Sequence, residues 1–307
     1  MSMIDYQRLI LADRPRNEAF AAALKKVVTP GCTVVDVGAG TGFLGFLAAK
    51  LGAGRVILLE CEPEFFALSR EIAKRSGITN CEFIHSRSED VKERFNADVL
   101  VSETLGNFAY EENIIEILRD AKRFLKRGGV MVPQSIAQLA APVTGDRLWK
   151  EVTSWDSVGF DMDWSPARTV SINNMYVKTF KENELLAAQT WDHVDLTLAE
   201  NKSVRSGTVE WKTDVPITLY GVCLWWTSDL CPGVTLSTAP SAPATHWQQI
   251  YLPAEQPIVL AKDETFRAHI TSDSRMSVHI NVQWSLEHVD ASGNVRSSQK
   301  MDMRKGR

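Results

Sequence analysis

The first half of the chain alternates short, continuous runs of hydrophobic residues with stretches in which hydrophobic positions recur at helical spacing. Runs rich in β-branched residues are typical of buried strands, whereas a period near 3.6 residues indicates helices. The predicted strands are Thr33–Val37, Val56–Leu59, a strand that starts at Phe83–Ile84, Asp98–Val101 and Val130–Val132. The predicted helices are Gly42–Leu51, Glu64–Arg75 and a segment from about Asn113 to Leu125 that Gly128 and Gly129 terminate. This alternation predicts an open parallel sheet with helices on both faces.

The pattern changes after Pro133, where short strand-like segments follow one another with turn residues between them. These segments are Val194–Leu198, Ile217–Trp226, Ile258–Leu260, Phe266–Ile270 and Ser277–Leu286. Their spacing predicts an antiparallel β domain, either a sandwich or a barrel. We therefore expect two domains, residues 1–140 and 141–307, with a more irregular stretch at about Trp164–Trp191 inside the second.

Composition narrows the class of protein. Of the 307 residues, 44% are hydrophobic and 23% are charged, a balance typical of a globular chain with a substantial core. The formal net charge is −4 and no run of Lys or Arg forms a cationic stripe, which disfavours binding to nucleic acid. Because no apolar run approaches the ~20 residues that span a bilayer, and the N-terminal segment does not resemble a signal peptide, we expect a cytoplasmic protein without a membrane partner. Five cysteines without a Cys-x-x-Cys pair predict neither a disulfide framework nor a metal site.

A glycine-rich segment follows the first predicted strand and opens the first predicted helix. It runs from Asp36 and contains Gly38, Gly40 and Gly42, where the backbone can turn tightly and approach a ligand. A dinucleotide-binding loop needs a further glycine at the next position, which is Phe43. Asp36 would repel a pyrophosphate but suits the α-ammonium group of a cofactor that carries an amino acid. The loop therefore favours S-adenosylmethionine (SAM) over NAD, and a tight turn that binds nothing is the weaker alternative.

Acidic residues mark two further strand ends. Glu60 closes the second predicted strand, where a carboxylate can accept hydrogen bonds from both ribose hydroxyls; a solvated acid is the alternative. After the fourth strand, the segment SETLGNFAYEE places Glu103 at the strand end and Glu111 and Glu112 near the next helix. Ligands of open α/β sheets bind at the carboxyl ends of the strands, so we expect this loop beside the cofactor. The alternative, acids that only favour a helix N-terminus, applies to Glu111 and Glu112 more than to Glu103.

Two carboxylates next to a sulfonium cofactor suit a guanidinium acceptor. A guanidinium has a pKa above ~12, and it is a poor nucleophile because its lone pairs are delocalised. Carboxylates can orient one terminal nitrogen and draw positive charge away from it. Fixed negative charge in a dry site would then favour attack of that nitrogen on the methyl group.

Several motifs resemble those of the protein arginine methyltransferase family along nearly the whole chain. They are VVDVGAGTG at Val34–Gly42, LLEC at Leu58–Cys61, SRSEDV at Ser86–Val91, the SETLGNFAYEE loop, GFDM at Gly159–Met162, LSTAPSAP at Leu236–Pro243 and ATHW at Ala244–Trp247. The double-glutamate loop followed by Thr-His-Trp is the most specific combination. The resemblance implies a Rossmann-like SAM-binding domain, a β-barrel domain, and a dimerisation arm at about 164–191 that forms a head-to-tail homodimer.

The resemblance also implies roles for individual residues. Those implied for the cofactor are Arg16 at the SAM carboxylate, Asp36 and Gly38 at the methionine end, Gly40, Gly42 and Cys61 within the matching motifs, Glu60 at the ribose, and Glu89 at the adenine amine. Glu103 and a second glutamate, Glu111 or Glu112, would clamp the acceptor guanidinium. Asp13 and His246 resemble a pair that helps to accept the proton. Trp247 would wall the arginine pocket, although a buried aromatic turn is the simpler interpretation without the resemblance.

Some features depart from the family pattern. Only Tyr6 represents the tyrosine-bearing helix expected before the segment Leu9–Arg16, so we expect a short or absent lid over SAM. SETLGNFA is closer to members that dimethylate symmetrically, whereas Thr-His-Trp is closer to those that dimethylate asymmetrically, so the product stays open. An ungapped count from Glu103 favours Glu112 as the second clamp, and a Tyr-Glu match favours Glu111.

The primary hypothesis is therefore a SAM-dependent arginine N-methyltransferase that acts on arginine in proteins or peptides. Its first alternative is an enzyme of the same fold that methylates free arginine or another small guanidine in biosynthesis. A second alternative, from another class, is a non-catalytic SAM-binding scaffold, which the presence of Glu103, Glu112, His246 and the glycine loop disfavours.

Overall fold

A computed structural model describes residues 2–306 and gives the chain a mixed α/β fold. Its first half contains α1 (Met3–Ala12), α2 (Arg14–Val27), β1 (Thr33–Val37), α3 (Phe43–Lys50), β2 (Arg55–Glu60), α4 (Pro63–Arg75), β3 (Cys81–His85), β4 (Ala97–Val101), α5 (Ile114–Ala121) and β5 (Leu125–Val132). Strands β1 to β5 form a parallel sheet in the order β3-β2-β1-β4-β5, which confirms the predicted sheet. The strand order reverses between β1 and β4. The carboxyl ends of these two strands therefore flank the crevice where open α/β sheets bind ligands.

The second half forms two antiparallel sheets. Its elements are β6 (Ser135–Pro142), α6 (Arg147–Val152), α7 (Ser165–Ile172), β7 (Tyr176–Lys178), β8 (Gln189–Asp195), β9 (Val204–Lys212), β10 (Ile217–Cys231), β11 (Val234–Ser237), β12 (Gln249–Leu260), β13 (Thr265–Asp273), β14 (Asn281–Val289) and β15 (Val295–Asp302). One sheet has the order β7-β12-β10-β6-β8, with β11 beside β10, and the other has the order β15-β14-β13-β9. Because β8 lies along β9, and β12 along β14 and β15, the sheets close into a flattened barrel. Within residues 2–306, no helix is long and apolar enough to cross a membrane.

The junction between the halves differs from the prediction in two ways. The helix predicted to reach Leu125 ends at Ala121, a short 3₁₀ turn follows, and Leu125 already belongs to β5. Gly128 and Gly129 lie inside β5, where the register with β4 shifts and Gly128 has a φ of +77°, so these glycines form a bulge rather than a helix end. The expected boundary at residues 140 and 141 falls inside β6, which pairs with β10 and β8 and therefore belongs to the barrel. The division into two domains itself stays a prediction.

A helical insertion, residues 147–173, projects between β6 and β7 and includes α6 and α7. Its tip is apolar and exposed: Phe160 is 85% exposed and Met162 is 56% exposed. The predicted arm at 164–191 overlaps this insertion only from residue 164 to residue 173. Tyr176–Lys178 instead pairs with β12, and Trp191 is a buried residue of β8, which pairs with β6, so both segments belong to the barrel.

Candidate active site

A cavity of about 520 Å³ opens at the carboxyl ends of β1 and β4. Its walls come from α1, the glycine-rich loop after β1, the end of β2 and the loop after β4. Residues that line it include Tyr6, Gln7, Arg16, Asp36, Gly38, Gly40, Phe43, Glu60, Glu103, Thr104, Glu112 and His246. A second cavity of about 240 Å³ adjoins it and shares Gly38 and Thr104. Most of the candidate residues chosen from the sequence therefore meet at one place in the fold.

The glycine-rich loop owes its path to backbone conformations that favour glycine. Gly38 has a φ of +70°, and a Cβ atom there would lie 3.0 Å from Thr104 Cγ2. Gly42 has a φ of +88° at the start of α3, and a Cβ atom there would come within 2.4 Å of the Phe46 ring. The backbone at Gly38 therefore faces the cavity without an intervening side chain, whereas Gly42 is not among the lining residues and starts α3 against the Phe46 ring.

Two acidic residues flank the glycine-rich loop. Asp36 is 1% exposed, and its Oδ2 accepts a hydrogen bond from the Gly45 amide at 2.8 Å. Burial raises the pKa of Asp36 to about 7, and the nearby charges of Glu60 and Glu103 add to this effect, while the Gly45 hydrogen bond opposes it. Glu60 accepts hydrogen bonds from the Gly40 amide at 2.6 Å and from the Glu62 amide at 2.8 Å. A carboxylate offers about four acceptor positions, so Glu60 retains capacity for a ligand.

The acceptor loop comprises residues 102–113 and follows β4. Glu103 and Glu112 both line the large cavity. Burial raises the pKa of Glu112 to about 7, the charges of Glu103 and Glu111 raise it further, and a hydrogen bond from the Tyr6 hydroxyl at 3.2 Å opposes the shift. Glu111 points into its own loop, where its carboxylate accepts hydrogen bonds from the amides of Asn107 and of Phe108, the latter at 3.3 Å. Of the two alternatives left open by the sequence, Glu112 is the one that lines the cavity together with Glu103.

Arg16 binds the first of these carboxylates. Its Nε donates to Glu103 Oε2 at 2.7 Å, its Nη2 donates to the same oxygen, and both side chains are 6% exposed. The Leu105 amide donates to the other oxygen, Oε1, at 3.1 Å. Glu103 therefore already holds a guanidinium group in this structure, at the site where an acceptor guanidinium was expected.

Asp13 and His246 form the expected pair. Asp13 Oδ2 accepts hydrogen bonds from His246 Nδ1 at 2.7 Å and from the His246 amide at 2.8 Å. Its other oxygen caps α2 by accepting from the Arg16 amide at 3.0 Å. Although burial favours the neutral acid, the hydrogen bonds from His246 and from the Arg16 amide prevail and lower the pKa of Asp13. His246 in turn lines the cavity.

Trp247 lies behind His246 and not at the expected wall of the pocket. The side chain is 0% exposed, packs at a centroid distance of 4.9 Å against Trp226, and donates from Nε1 to the Leu105 carbonyl at 2.5 Å. A fully buried ring cannot contact an acceptor in the cavity. Its hydrogen bond to Leu105 instead holds the acceptor loop.

The second cavity contains the remaining cofactor candidates. Glu89 and Cys61 line it, and burial raises the pKa of the Cys61 thiol, with Glu60 and Glu62 adding to the shift. Two other contributors to this cavity belong to none of the sequence motifs. Asn113 lies beside this cavity with a buried Oδ1 that has no hydrogen-bond partner among residues 2–306, and the turn between β13 and β14 adds Met276 and His279.

Helix α1, which has ten residues, covers the large cavity, as a short lid would and an absent one would not. Tyr6, Gln7 and Ile10 all face the cavity, and a Cβ atom on Gly40 would lie 3.2 Å from the Gln7 amide. Only Tyr6 was singled out from the sequence, because α1 has no motif apart from its hydrophobic spacing. The Ser2 side chain caps the helix by accepting from the Asp5 amide at 3.3 Å.

Comparison with known proteins places this arrangement in a family. A model described as a methyltransferase domain matches residues 28–202, and a model described as the arginine methyltransferase oligomerization subdomain matches residues 136–289. The chain belongs to the protein arginine methyltransferase family. The second match begins at the second residue of β6, so it covers most of the barrel together with the helical insertion.

Individual relatives support the same family. The chain is 30% identical to probable protein arginine N-methyltransferase 3 of Oryza sativa subsp. japonica, over 86% of the chain and 49% of that protein. It is 27% identical to the arginine N(omega)-methyltransferase of Streptomyces achromogenes subsp. streptozoticus, over 88% of the chain and 77% of that protein. The chain thus spans about half the length of the rice relative.

Solved structures share the complete fold. The PRMT1 enzyme-prozyme complex of Trypanosoma brucei, described as heterotetrameric and bound to AdoHcy, matches with a TM-score of 0.85 at 20% identity, over 97% of this chain and 98% of that chain. Protein arginine methyltransferase 10 of Arabidopsis thaliana matches with a TM-score of 0.82 at 22% identity, over 98% of both chains. The likeness confirms the predicted combination of a Rossmann-like sheet with an antiparallel β domain.

Proposed function

We propose that this protein transfers a methyl group from SAM to a guanidinium nitrogen of arginine. The observation that carries the proposal is the pair of carboxylates, Glu103 and Glu112, which face one cavity beside the glycine-rich loop. Among the described residues that line this cavity, five are acidic and Arg16 is the only arginine or lysine. A cationic cofactor together with a cationic acceptor would balance that excess of negative charge.

The residues present fit SAM. The large cavity has the volume typical of small-molecule sites. At Gly38 the bare backbone lines this cavity, and a Cβ atom there would crowd the Thr104 side chain. Asp36 would bind the α-ammonium group, Arg16 the carboxylate, and Glu60 the ribose hydroxyls. Glu89 would accept a hydrogen bond from the adenine amine in the second cavity, where Cys61 also lies. The T. brucei structure, which is a complex with AdoHcy, is consistent with this assignment.

The bound cofactor supplies an electrophilic methyl group on a sulfonium, and the chain supplies orientation and charge. Glu103 and Glu112 would each accept hydrogen bonds from the acceptor and direct one terminal nitrogen towards the methyl group. Two fixed carboxylates also stabilise positive charge on the acceptor as the nitrogen–carbon bond forms. Arg16 would leave Glu103 for the cofactor carboxylate, which frees Glu103 for the acceptor.

The Asp13–His246 pair is positioned to receive the proton that the methylated nitrogen loses. Asp13 holds His246 through Nδ1, which fixes the tautomer and leaves Nε2 as the basic nitrogen. The carboxylate of Asp13 also stabilises the imidazolium once it forms. His246 therefore serves as the proposed base, and Asp13 orients it.

Arginine in a protein or peptide is the proposed substrate, and free arginine is a second candidate. The rice relative is named for the first kind of acceptor, and the Streptomyces relative is named as an arginine N(omega)-methyltransferase and is covered by this chain over 77% of its length. Mass spectrometry after incubation with SAM and either an arginine-rich peptide or free arginine distinguishes them. Methylation of free arginine alone would overturn the peptide assignment. Binding of SAM without transfer to either acceptor would favour the scaffold alternative.

We further propose a head-to-tail homodimer formed through the helical insertion. An apolar groove of about 270 Å³ lies on the outer face of the Rossmann-like domain, lined by Leu11, Phe43, Phe46, Leu47, Ile72 and Ile78, among others. The exposed, apolar side chains of Phe160 and Met162 from a second copy would pack into this groove. Because tip and groove are different surfaces of one chain, a two-fold axis would form both contacts at once. The family description of residues 136–289 as an oligomerization subdomain supports this assembly.

A further inference from the structure

Buried side chains of the barrel hold the acceptor loop. Three loop carbonyls accept hydrogen bonds from them: Leu105 O from Trp247 Nε1 at 2.5 Å, Gly106 O from Trp226 Nε1 at 3.1 Å, and Phe108 O from Gln138 Nε2 at 2.5 Å. In addition, the Tyr110 hydroxyl donates to Asp192 Oδ2 at 2.8 Å. The two tryptophans contact the part of the loop that follows Glu103, whereas Gln138 and Asp192 contact the part that leads to Glu112.

Gln138 and Asp192 are direct partners across the antiparallel pair β6–β8. The register of the two strands shifts immediately beyond them, where Leu139 pairs with Thr190 and Trp191 is the extra residue of a bulge. Bulges redirect side chains and are frequent next to active sites. At this bulge, one strand presents a hydrogen-bond donor and the other an acceptor, matched to a carbonyl and a hydroxyl two residues apart in the acceptor loop.

On the barrel side of these contacts both side chains are buried, and Asp192 is held by a partner outside the loop. Gln138 is 1% exposed, and the Asp192 side chain is 7% exposed. Arg205 of β9 binds both oxygens of Asp192, with Nη2 2.6 Å from Oδ1, and also donates to the His193 carbonyl at 2.8 Å. A carboxylate held by two such bonds from the other sheet cannot follow the loop, so the loop must adjust to it.

We propose that the pair Gln138–Asp192 is a positioning device that sets the place of Glu112 opposite Glu103. The pair fixes Phe108 and Tyr110, and Glu112 follows two residues later. This inference rests on the proposed function, because it concerns the binding of the acceptor guanidinium. The cofactor residues Asp36 and Glu60 lie at the ends of β1 and β2 and make no use of these contacts.

Gln138→Met tests the proposal, because it keeps side-chain length and removes the donor. We expect the Kd of an arginine-containing peptide for protein saturated with S-adenosylhomocysteine to rise about 10-fold, since misplacement of a binding group by ~1 Å can cost ~10²-fold. The Kd of S-adenosylhomocysteine itself, measured by calorimetry, should stay unchanged. The peptide kcat/KM should fall in parallel.

Gln249→Met is the matched control. Gln249 is also a buried amide of the barrel, and it donates to the Thr238 carbonyl at 2.9 Å and accepts from the Phe180 amide at 3.1 Å, neither of which belongs to the acceptor loop. Gln249→Met should leave the Kd of the peptide equal to that of the wild type. Equal effects of the two substitutions on peptide binding would overturn the positioning role and indicate a general effect on the barrel.

Tyr110→Phe provides a second test that removes only one hydroxyl and is less disruptive to folding. Its matched control is Tyr251→Phe, since the buried Tyr251 hydroxyl donates to the Tyr220 carbonyl at 2.6 Å within the barrel. We expect weaker peptide binding for Tyr110→Phe alone. A peptide Kd equal to that of the wild type in both Tyr110→Phe and Gln138→Met would refute the inference.

Combination with Glu112→Gln shows whether Gln138 acts through Glu112. Residues that act through one group give non-additive effects, so Gln138→Met should add little to the loss in kcat/KM already caused by Glu112→Gln. Full additivity would contradict the inference. If the wild-type protein binds no guanidine acceptor at all, the proposed function fails and this inference fails with it, whereas a functional wild type with unaffected variants refutes the inference alone.

Discussion

At the scale of single residues, the candidate site is defined by carboxylates whose surroundings differ. Glu103 is paired with Arg16, whereas Glu112 accepts a hydrogen bond from the Tyr6 hydroxyl, and its pKa is raised to about 7 by burial. The carboxylate of Glu111, the adjacent residue, accepts hydrogen bonds from backbone amides of its own loop. Two neighbouring glutamates therefore have different roles, and the difference lies in the direction in which the loop turns each side chain.

Glu103→Gln should lower turnover by ~10²-fold or more, because removal of one preorganised electrostatic group typically costs that much. Binding of S-adenosylhomocysteine should persist, since the cofactor contacts assigned to Asp36 and Glu60 are intact. Steady-state kinetics and calorimetry on the same preparation measure both quantities. Turnover close to that of the wild type would disprove the role assigned to Glu103.

The raised pKa of Glu112 predicts a pH dependence of acceptor binding. Only the ionised carboxylate attracts a guanidinium, and a carboxyl group with a pKa of about 7 loses its proton as the pH rises from 6 to 8. The Kd of an arginine peptide, measured with S-adenosylhomocysteine bound, should therefore fall over this range and level off above it. Because Asp36 also has a pKa of about 7, the Kd of S-adenosylhomocysteine must be measured separately at each pH.

Substitutions at the two adjacent glutamates separate the source of this pH dependence. Glu112→Gln should weaken binding and abolish the dependence, while Glu111→Gln should retain it, because Glu111 faces its own loop. A pH profile that is unchanged in Glu112→Gln would show that another group titrates.

At the scale of elements, the pattern of the sequence predicted some features well and others not at all. Thr33–Val37 was predicted with the bounds it has in the structure, because a buried β-branched run that ends in glycines has no competing interpretation. Gly128 and Gly129 indicate a helix end in the sequence but form a strand bulge in the structure, since glycine is compatible with both. The position of Trp247 depends on its partner Trp226, which lies 21 residues away in the chain, and no local pattern reveals such a contact.

Helix α1 contributes to the site through Tyr6, and this contribution can be tested. The Tyr6 hydroxyl stabilises the ionised form of Glu112, so Tyr6→Phe should raise the pKa of Glu112 further. The midpoint of the pH dependence of acceptor binding should then move to higher pH. An unchanged midpoint would mean that α1 covers the cavity without acting on Glu112.

At the scale of the whole molecule, the barrel and the Rossmann-like domain meet at the acceptor loop. Trp226, Trp247 and Gln138 bind carbonyls of a loop that follows β4, and His246 reaches Asp13 ahead of α2. The geometry proposed for catalysis therefore depends on contacts between the two halves of the chain. The sheet domain alone would keep the cofactor residues but would lose the contacts that hold Glu112 and Asp13.

The proposed homodimer predicts a specific effect of the exposed tip. Phe160→Asp places a charge on a side chain that is 85% exposed and should convert dimers into monomers, because burial of the charge in an apolar groove is costly. Val215→Asp, at an exposed position between β9 and β10, is the matched control and should leave the dimer intact. Light scattering coupled to size exclusion measures the mass. A dimer that survives Phe160→Asp would show that the tip is not the interface.

The most direct test of the central claim compares two peptides of the same sequence that differ only in arginine or lysine at the acceptor position. The full chain is incubated with SAM and each peptide, and fragment ions locate any methyl group by tandem mass spectrometry. We predict methylation of the terminal guanidinium nitrogen of the arginine peptide and none of the lysine peptide, because Glu103 and Glu112 match a planar cation with several donors. Methylation of lysine, or of neither peptide by protein that binds S-adenosylhomocysteine, would contradict the account.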